Sequence, residues 1–250
     1  EFLKTWYHSE LSPPPVDLQA IEVENQRRDS QRRELQEAIA GLEAERNQLV
    51  DPVRMAVMEE RQKSGFVLPP IDLKPYASWD FDGDLSESVR GLDLTAFGEI
   101  QFRDGRVVLD GAHLLSKPLP IDLNAKTMEV WFQLATLEQR GGGLMGVQVT
   151  GGLFETIVLG ERQNLRWMSG SNGFERTEDI VDSYEETDAD DLLHLVMVYE
   201  EDGTKTLYRN GQPYGQPYQK GQATFPRDQT NVMFGLRHLP PGGDRFLYVS

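Results

Sequence analysis

Two packed antiparallel β-layers, a sandwich or jelly roll preceded by a helical segment, is the fold class that the sequence predicts. Three stretches carry it. Over residues 127–134, Met128, Val130, Phe132 and Leu134 alternate with Glu129, Trp131 and Gln133. That period of two marks a strand with one face on a core. The other face holds an indole between two polar groups, which suits a groove or the outside of a sandwich. Residues 192–199 are apolar on both faces except at His194, as in a central strand covered on both sides. Residues 200–203 (Glu-Glu-Asp-Gly) and Asn210-Gly211 then reverse the chain twice. Asn-Gly tolerates the positive φ that a type I′ turn requires at both central positions, so three consecutive strands form a meander.

Taken in order, residues 1–15 end in Pro13, Pro14 and Pro15 and read as an extended linker, because consecutive prolines enter neither a helix nor a ladder. Residues 16–63 read as a helical spacer. Leu35, Ile39, Leu42 and Leu49 form an amphipathic stripe that Arg46 interrupts. Asp51-Pro52 has the form of an N-cap followed by proline at the first helical position. The expectation is therefore a helical hairpin or short coiled coil. Residues 64–75, with Gly65, Pro69 and Pro70, are a second linker. Short strands follow at 77–81, 92–96, 100–103, 106–109, 127–134, 143–149, 154–159, 165–168, 192–199, 204–208, 231–235 and 246–249.

The chain has 250 residues and a formal net charge of −16. Residues 75–250 hold 15 Lys and Arg against 27 Asp and Glu, so the acid excess belongs to the β-rich part. Such a surface repels phosphate backbones and argues against a nucleic-acid partner. No apolar run reaches the length of a membrane span and no secretory signal is visible. The chain starts at Glu1 without Met and reads as an internal piece of something longer. There are no cysteines, so no disulfide, thiolate metal site or c-type haem attachment lies within it.

Several stretches resemble the laminin-G-like, concanavalin A-like jelly-roll family. They are Thr127-Met-Glu-Val-Trp-Phe132, Leu192-Leu-His-Leu-Val-Met-Val-Tyr-Glu-Glu-Asp-Gly203, Leu207-Tyr-Arg-Asn-Gly-Gln212 and Val232-Met-Phe-Gly-Leu-Arg237. The resemblance spans residues 76–250. A narrower likeness, in Ser78-Trp-Asp-Phe-Asp82, Gln139-Arg-Gly-Gly-Gly143, residues 166–174 and residues 235–243, is to the jelly-roll module of planctomycete-type cytochrome c multidomain proteins. It implies an exported, periplasmic or extracellular, protein whose helical spacer precedes the module and whose other domains lie elsewhere in the polypeptide. The family's last strand would follow Ser250. The resemblance implies that it pairs near residues 77–81, leaving Trp79 and Phe81 beside an unpaired edge.

Catalysis finds little support. Laminarinase-type hydrolases of this fold place alternate carboxylates of an E-x-D-x-x-E strand in one cleft. Residues 186–191 here (Glu-Thr-Asp-Ala-Asp-Asp) lack the final Glu and lie in a stretch, 178–191, where eight of fourteen residues are acidic, which reads as a solvated loop. Relatives in the family hold calcium through loop carboxylates. Asp80, Asp82, Asp188 and Asp190 are the candidate calcium ligands, although Asp80 and Asp82 also read as outward polar residues of a strand. His8, His113, His194 and His238 show no zinc spacing. A Gly-rich segment offers planar donors and aromatics for a sugar or peptide: Arg162, Arg166, Trp167, Ser171, Asn172, Phe174 and Arg176. Arg237 and His238 make a second candidate loop. Against this stands the reading that Trp167 fills the core and the arginines pair with acids. The resulting expectation is a non-catalytic recognition module for a glycan or protein, linked to neighbouring domains. The alternative is a structural spacer with no small ligand, and a glycoside hydrolase is the least favoured.

Overall fold

The structure is a computed structural model and describes residues 18–63, 74–150 and 152–250. The linker 1–15, His8 and most of the linker 64–75 lie outside the described residues. The chain divides into two units, residues 1–73 and residues 74–250.

In the first unit the described residues form one helix, α1 (Leu18–Lys63), of 46 residues. The hairpin expectation is corrected: α1 runs through Pro52 without a break. A proline here removes one amide and so one intrahelical bond, at about 3 kcal/mol, and Pro52 is exposed so that water can serve the freed carbonyl. Pairs such as Glu24 with Arg27 and Arg28, and Glu59 with Lys63, follow the helical spacing. Leu35, Leu42 and Leu49 are exposed. No described helix is long and apolar enough to cross a membrane.

Among the described residues the second unit is built from thirteen strands and two single-turn 3₁₀ segments. The strands are β1 (Leu94–Phe97), β2 (Ile100–Arg103), β3 (Arg106–Leu109), β4 (His113–Ser116), β5 (Lys126–Gln133), β6 (Gly142–Val149), β7 (Phe154–Leu159), β8 (Trp167–Ser171), β9 (Leu192–Tyr199), β10 (Thr204–Arg209), β11 (Gln212–Pro213), β12 (Tyr218–Gln219) and β13 (Thr230–Phe234). One sheet has the order β1-β4-β13-β6-β7-β8 and the other β11-β10-β9-β5, with β12 also on β10 and a separate β2-β3 hairpin. Val249 bridges both Leu109 and Leu134. Tyr248 and Ser250 continue that pairing along residues 133–135, so the last described residues lie between β3 and β5.

The interior is filled by every second side chain, as the alternation requires. Met128 and Phe132 of β5 are buried together with Leu193, Leu195 and Met197 of β9, Leu114 of β4 and Val147 of β6. β9 does sit centrally, between β5 and β10. It is covered on one face only, because Leu192 is exposed and His194, Val196 and Val198 are half-buried. That corrects the two-sided expectation: an apolar outer face need not be a covered one.

Residues 77–81 form no strand. The indole Nε1 of Trp79 donates to the Leu92 carbonyl at 3.0 Å. The Trp79 and Phe81 rings stand edge-on to Phe234 at 5.4 and 5.5 Å. The segment is held by a buried carboxylate rather than a ladder: Glu87 accepts from the backbone N–H groups of Ser78, Val89, Arg90 and Leu92. Burial pushes the Glu87 carboxyl up, but these four bonds together outweigh it and hold it below its ordinary value.

Two outcomes are expected. A folded value below the unfolded one means that the Glu87 contribution is complete above the unfolded carboxylate range and is lost as pH falls through the folded value. Glu87→Gln should therefore lower Tm at neutral pH, and the deficit should shrink in an acid titration of stability. Phe132→Ala, which removes a ring 2% exposed, should cost about 3–5 kcal/mol in chemical denaturation. Trp131→Ala, one residue away and outward, should cost well under 1 kcal/mol.

Candidate functional site

The outer face of the β5-β9-β10 sheet carries the most exposed tryptophan of the second unit, Trp131, at 62%. The same alternation that buries Phe132 turns Trp131 outward. The register pairs Trp131 with His194, Glu129 with Val196, and Val196 with Tyr208, so these side chains share one face. The Trp131 and His194 rings stack at 4.2 Å between centroids and 13° between planes. His194 Nε2 lies 2.8 Å from Glu129 Oε1, so the imidazole donates through Nε2–H to the carboxylate. The backbone N–H of His194 donates to Asn210 Oδ1 at 2.9 Å, and that of Asn210 returns to the His194 carbonyl at 2.8 Å. One indole face is thus fixed from behind, and the other is open. On the far side along β5, Gln133 is held by Arg106 Nη1 at 2.8 Å and donates to the Asp190 carbonyl at 3.1 Å. A rigid aromatic face with a carboxylate on one flank and an amide on the other is suited to stacking on the apolar side of a ring while bonding its substituents.

The segment singled out in the sequence is organised differently. Trp167 is 1% exposed, with Nε1 donating to Glu186 Oε1 at 2.7 Å and its ring edge-on to Phe132 at 5.3 Å. It is a core residue, and its face is closed to a ligand, which corrects the expectation of a stacking platform there. Ser171, Asn172 and Arg176 do come together, but they bond one another: Asn172 Oδ1 accepts from Arg176 Nη2 at 2.6 Å, and Ser171 Oγ accepts from the Arg176 amide at 3.0 Å. Arg176 Nε reaches the buried Glu155 at 3.1 Å. Arg162 pairs with Asp179 at 3.1 Å and lies 5.7 Å over the Phe174 ring, both at the surface. Arg166 Nη1 donates to the Ser183 carbonyl at 2.6 Å.

Arg237 is buried between Glu161, at 2.6 Å, and Asp244, at 3.3 Å. His238 stacks on Phe154 at 4.7 Å. Gly143 lets β6 pass under this loop, since a Cβ there would collide with the Leu236 and Arg237 backbone. Desolvation pushes the Glu161 carboxyl up and the His238 imidazole down.

The four candidate calcium ligands are not gathered. Asp80 Oδ1 accepts from the Asp82 amide and Asp188 Oδ1 from the Asp190 amide, as in local turns. Among the described residues no three His, Asp or Glu side chains are grouped to hold a metal. The acidic stretch 178–191 is also not wholly solvated. Glu186 is buried and receives a bidentate Arg209, at 2.9 and 2.8 Å, besides the Trp167 indole.

A further buried ionic group had no signal in the sequence. Lys126 and Arg176 converge on Glu155, with Lys205 nearby donating to the carbonyls of Lys220 and Gly221. The Lys126 ammonium also sits 4.2 Å over the Tyr199 ring. Desolvation pushes both lysines down. The side chains fill this space and leave no room for a water-sized guest, so the cluster is structural.

The family model described as the concanavalin A-like lectin/glucanases superfamily (Laminin_G_3) matches residues 109–247, more than half of the chain. The chain belongs to this superfamily. Domain 4 of the GH43 extracellular arabinanase AbnA from Geobacillus stearothermophilus, in complex with arabinotriose, matches with a TM-score of 0.51 at 18% identity. That match covers 69% of this chain and 88% of that domain. Trypanosoma rangeli sialidase in complex with sialic acid matches at 0.52 and 13% identity, over 81% of this chain and 35% of the sialidase. At such identities the likeness is one of fold. No curated protein sequence matches the chain.

Glu155→Ala should leave Lys126 buried without a counter-charge and Arg176 with only the exposed Glu175, and cost about 3–5 kcal/mol in denaturant unfolding. Replacing an exposed pair such as Arg162 and Asp179 should cost about 0–1 kcal/mol.

Proposed function

We propose that this concanavalin A-like domain is a non-catalytic carbohydrate-recognition module that stacks a sugar ring on Trp131. The observation that carries the reading is the open indole face, fixed by His194, with Glu129 beside it. A preorganised aromatic loses little conformational freedom on binding, so more of the stacking energy appears as affinity. The arabinotriose held by the AbnA domain supports a glycan as the class of ligand. The ion-paired arginines and the filled Glu155 cluster offer no acid and base flanking a cleft, which favours binding over hydrolysis.

The resemblance to planctomycete-type cytochrome c proteins supports a place in a larger exported polypeptide. In it, residues 16–63 would act as a spacer and residues 76–250 as the recognition domain, with neighbouring domains or a protein as further partners. A structural spacer without a small ligand is the second reading. It is favoured by the half-buried Val196 and Val198, which widen the apolar part of the outer face beyond one sugar ring.

Titration of the full chain against a panel of neutral oligosaccharides, followed by calorimetry and indole fluorescence, tests the proposal. Binding should be seen, should weaken about tenfold in Trp131→Ala, should be largely kept in Trp131→Phe, and should be indifferent to a chelator. No binding to any glycan, with Tm unchanged in their presence, would favour the spacer.

A further inference from the structure

We infer that the preferred ligand of the Trp131 face carries a cationic amine, as a glucosamine-containing glycan does; this rests on the carbohydrate reading above. Three features of the face converge on it. Glu129 projects from the same side of β5 as Trp131, two residues away, which is about 7 Å along an extended strand. Its Oε1 is occupied by His194, whereas Oε2 meets no hydrogen-bond partner among the described residues, and the side chain is half exposed. A carboxylate that has one oxygen fixed and the other open presents a stationary acceptor to a cation. The neighbouring indole contributes in the same sense, because an ammonium near an aromatic face is attracted to the ring quadrupole.

The wider field agrees. Residues 75–250 carry 15 basic against 27 acidic side chains, so the domain attracts cations and repels polyanions such as uronate or sulfate chains. On the other flank Gln133 is bonded to Arg106 Nη1 and to the Asp190 carbonyl, so a ring lying on Trp131 with its amine at Glu129 would set its hydroxyl or carbonyl groups towards that amide. Neutral sugars can stack as well, but a hydroxyl at Glu129 supplies a hydrogen bond without the charge.

The test compares deacetylated (chitosan-type) oligomers of glucosamine with their N-acetylated counterparts, which differ only in the charge and bulk of the amino group. Calorimetry on the full chain at neutral pH should show the deacetylated oligomer bound about 5- to 10-fold more tightly. The advantage should shrink as salt is raised. Glu129→Gln keeps the shape of the side chain and should bring the two oligomers to parity. Equal affinities in the natural protein, or a ratio unaltered by Glu129→Gln, would overturn the inference. If neutral glycans bind through Trp131 and the amine confers no advantage, this inference alone fails. If Trp131→Ala weakens no glycan, the carbohydrate reading fails and takes the inference with it.

Discussion

The pairing of β5 with β9 is the constraint on which the rest of the second unit depends. It runs without interruption from Lys126 opposite Tyr199 to Gln133 opposite Leu192. Because side chains alternate with a period of two, a slip of one residue would exchange the two faces of β5 completely. Phe132 would enter water and Trp131 would have to enter the core. The apolar excess of Met128 and Phe132 on one side, against Glu129 on the other, makes that slip costly. One register thus sets both the sandwich interior and the surface proposed to meet a ligand.

Buried charge does different work at three places. Glu87 is stabilised by four backbone donors, which lets residues 78–92 dock Trp79 against Phe234 without a ladder. Glu155 is met by Lys126 and Arg176, and Glu186 by Arg209 and an indole. Such groups rarely add net stability over apolar packing of the same volume, yet they strongly penalise any arrangement that separates them. They therefore act chiefly on which packing is adopted. The arginines tied into them are not available to a ligand.

How much of this was legible varied with the range of the interaction involved. The hairpin closed by Asn210-Gly211, the strand at residues 100–103 and its partner at 106–109, and the alternation of β5 are local patterns, and the structure reproduces them. β4 passed unnoticed because Leu114 and Leu115 stand side by side in His113–Ser116 and show no alternation. Residues 77–81 have the alternation of a strand but meet no partner edge, so their apolar side chains fill a gap instead. Asp51-Pro52 looks like a helix start, yet the capping pattern is compatible with a continuous helix when the proline faces water. In the Gly-rich segment, residue type pointed to a binding surface, while burial of Trp167 and the pairing of Arg176 and Arg237 used those groups internally. The outward Trp131 was visible as a residue between two polar neighbours, but nothing in the linear chain marked it as the aromatic to choose.

By itself, the sequence determined the class of fold, the positions of most strands and the two-faced character of β5, because these follow from nearest-neighbour spacing and turn chemistry. Only the tertiary structure decided which tryptophan is open, which arginines are neutralised and that His194 stands behind Trp131 with Glu129 as its anchor. Those outcomes depend on residues far apart in the chain being brought together, with 65 positions between Glu129 and His194. No local periodicity carries information about such distances.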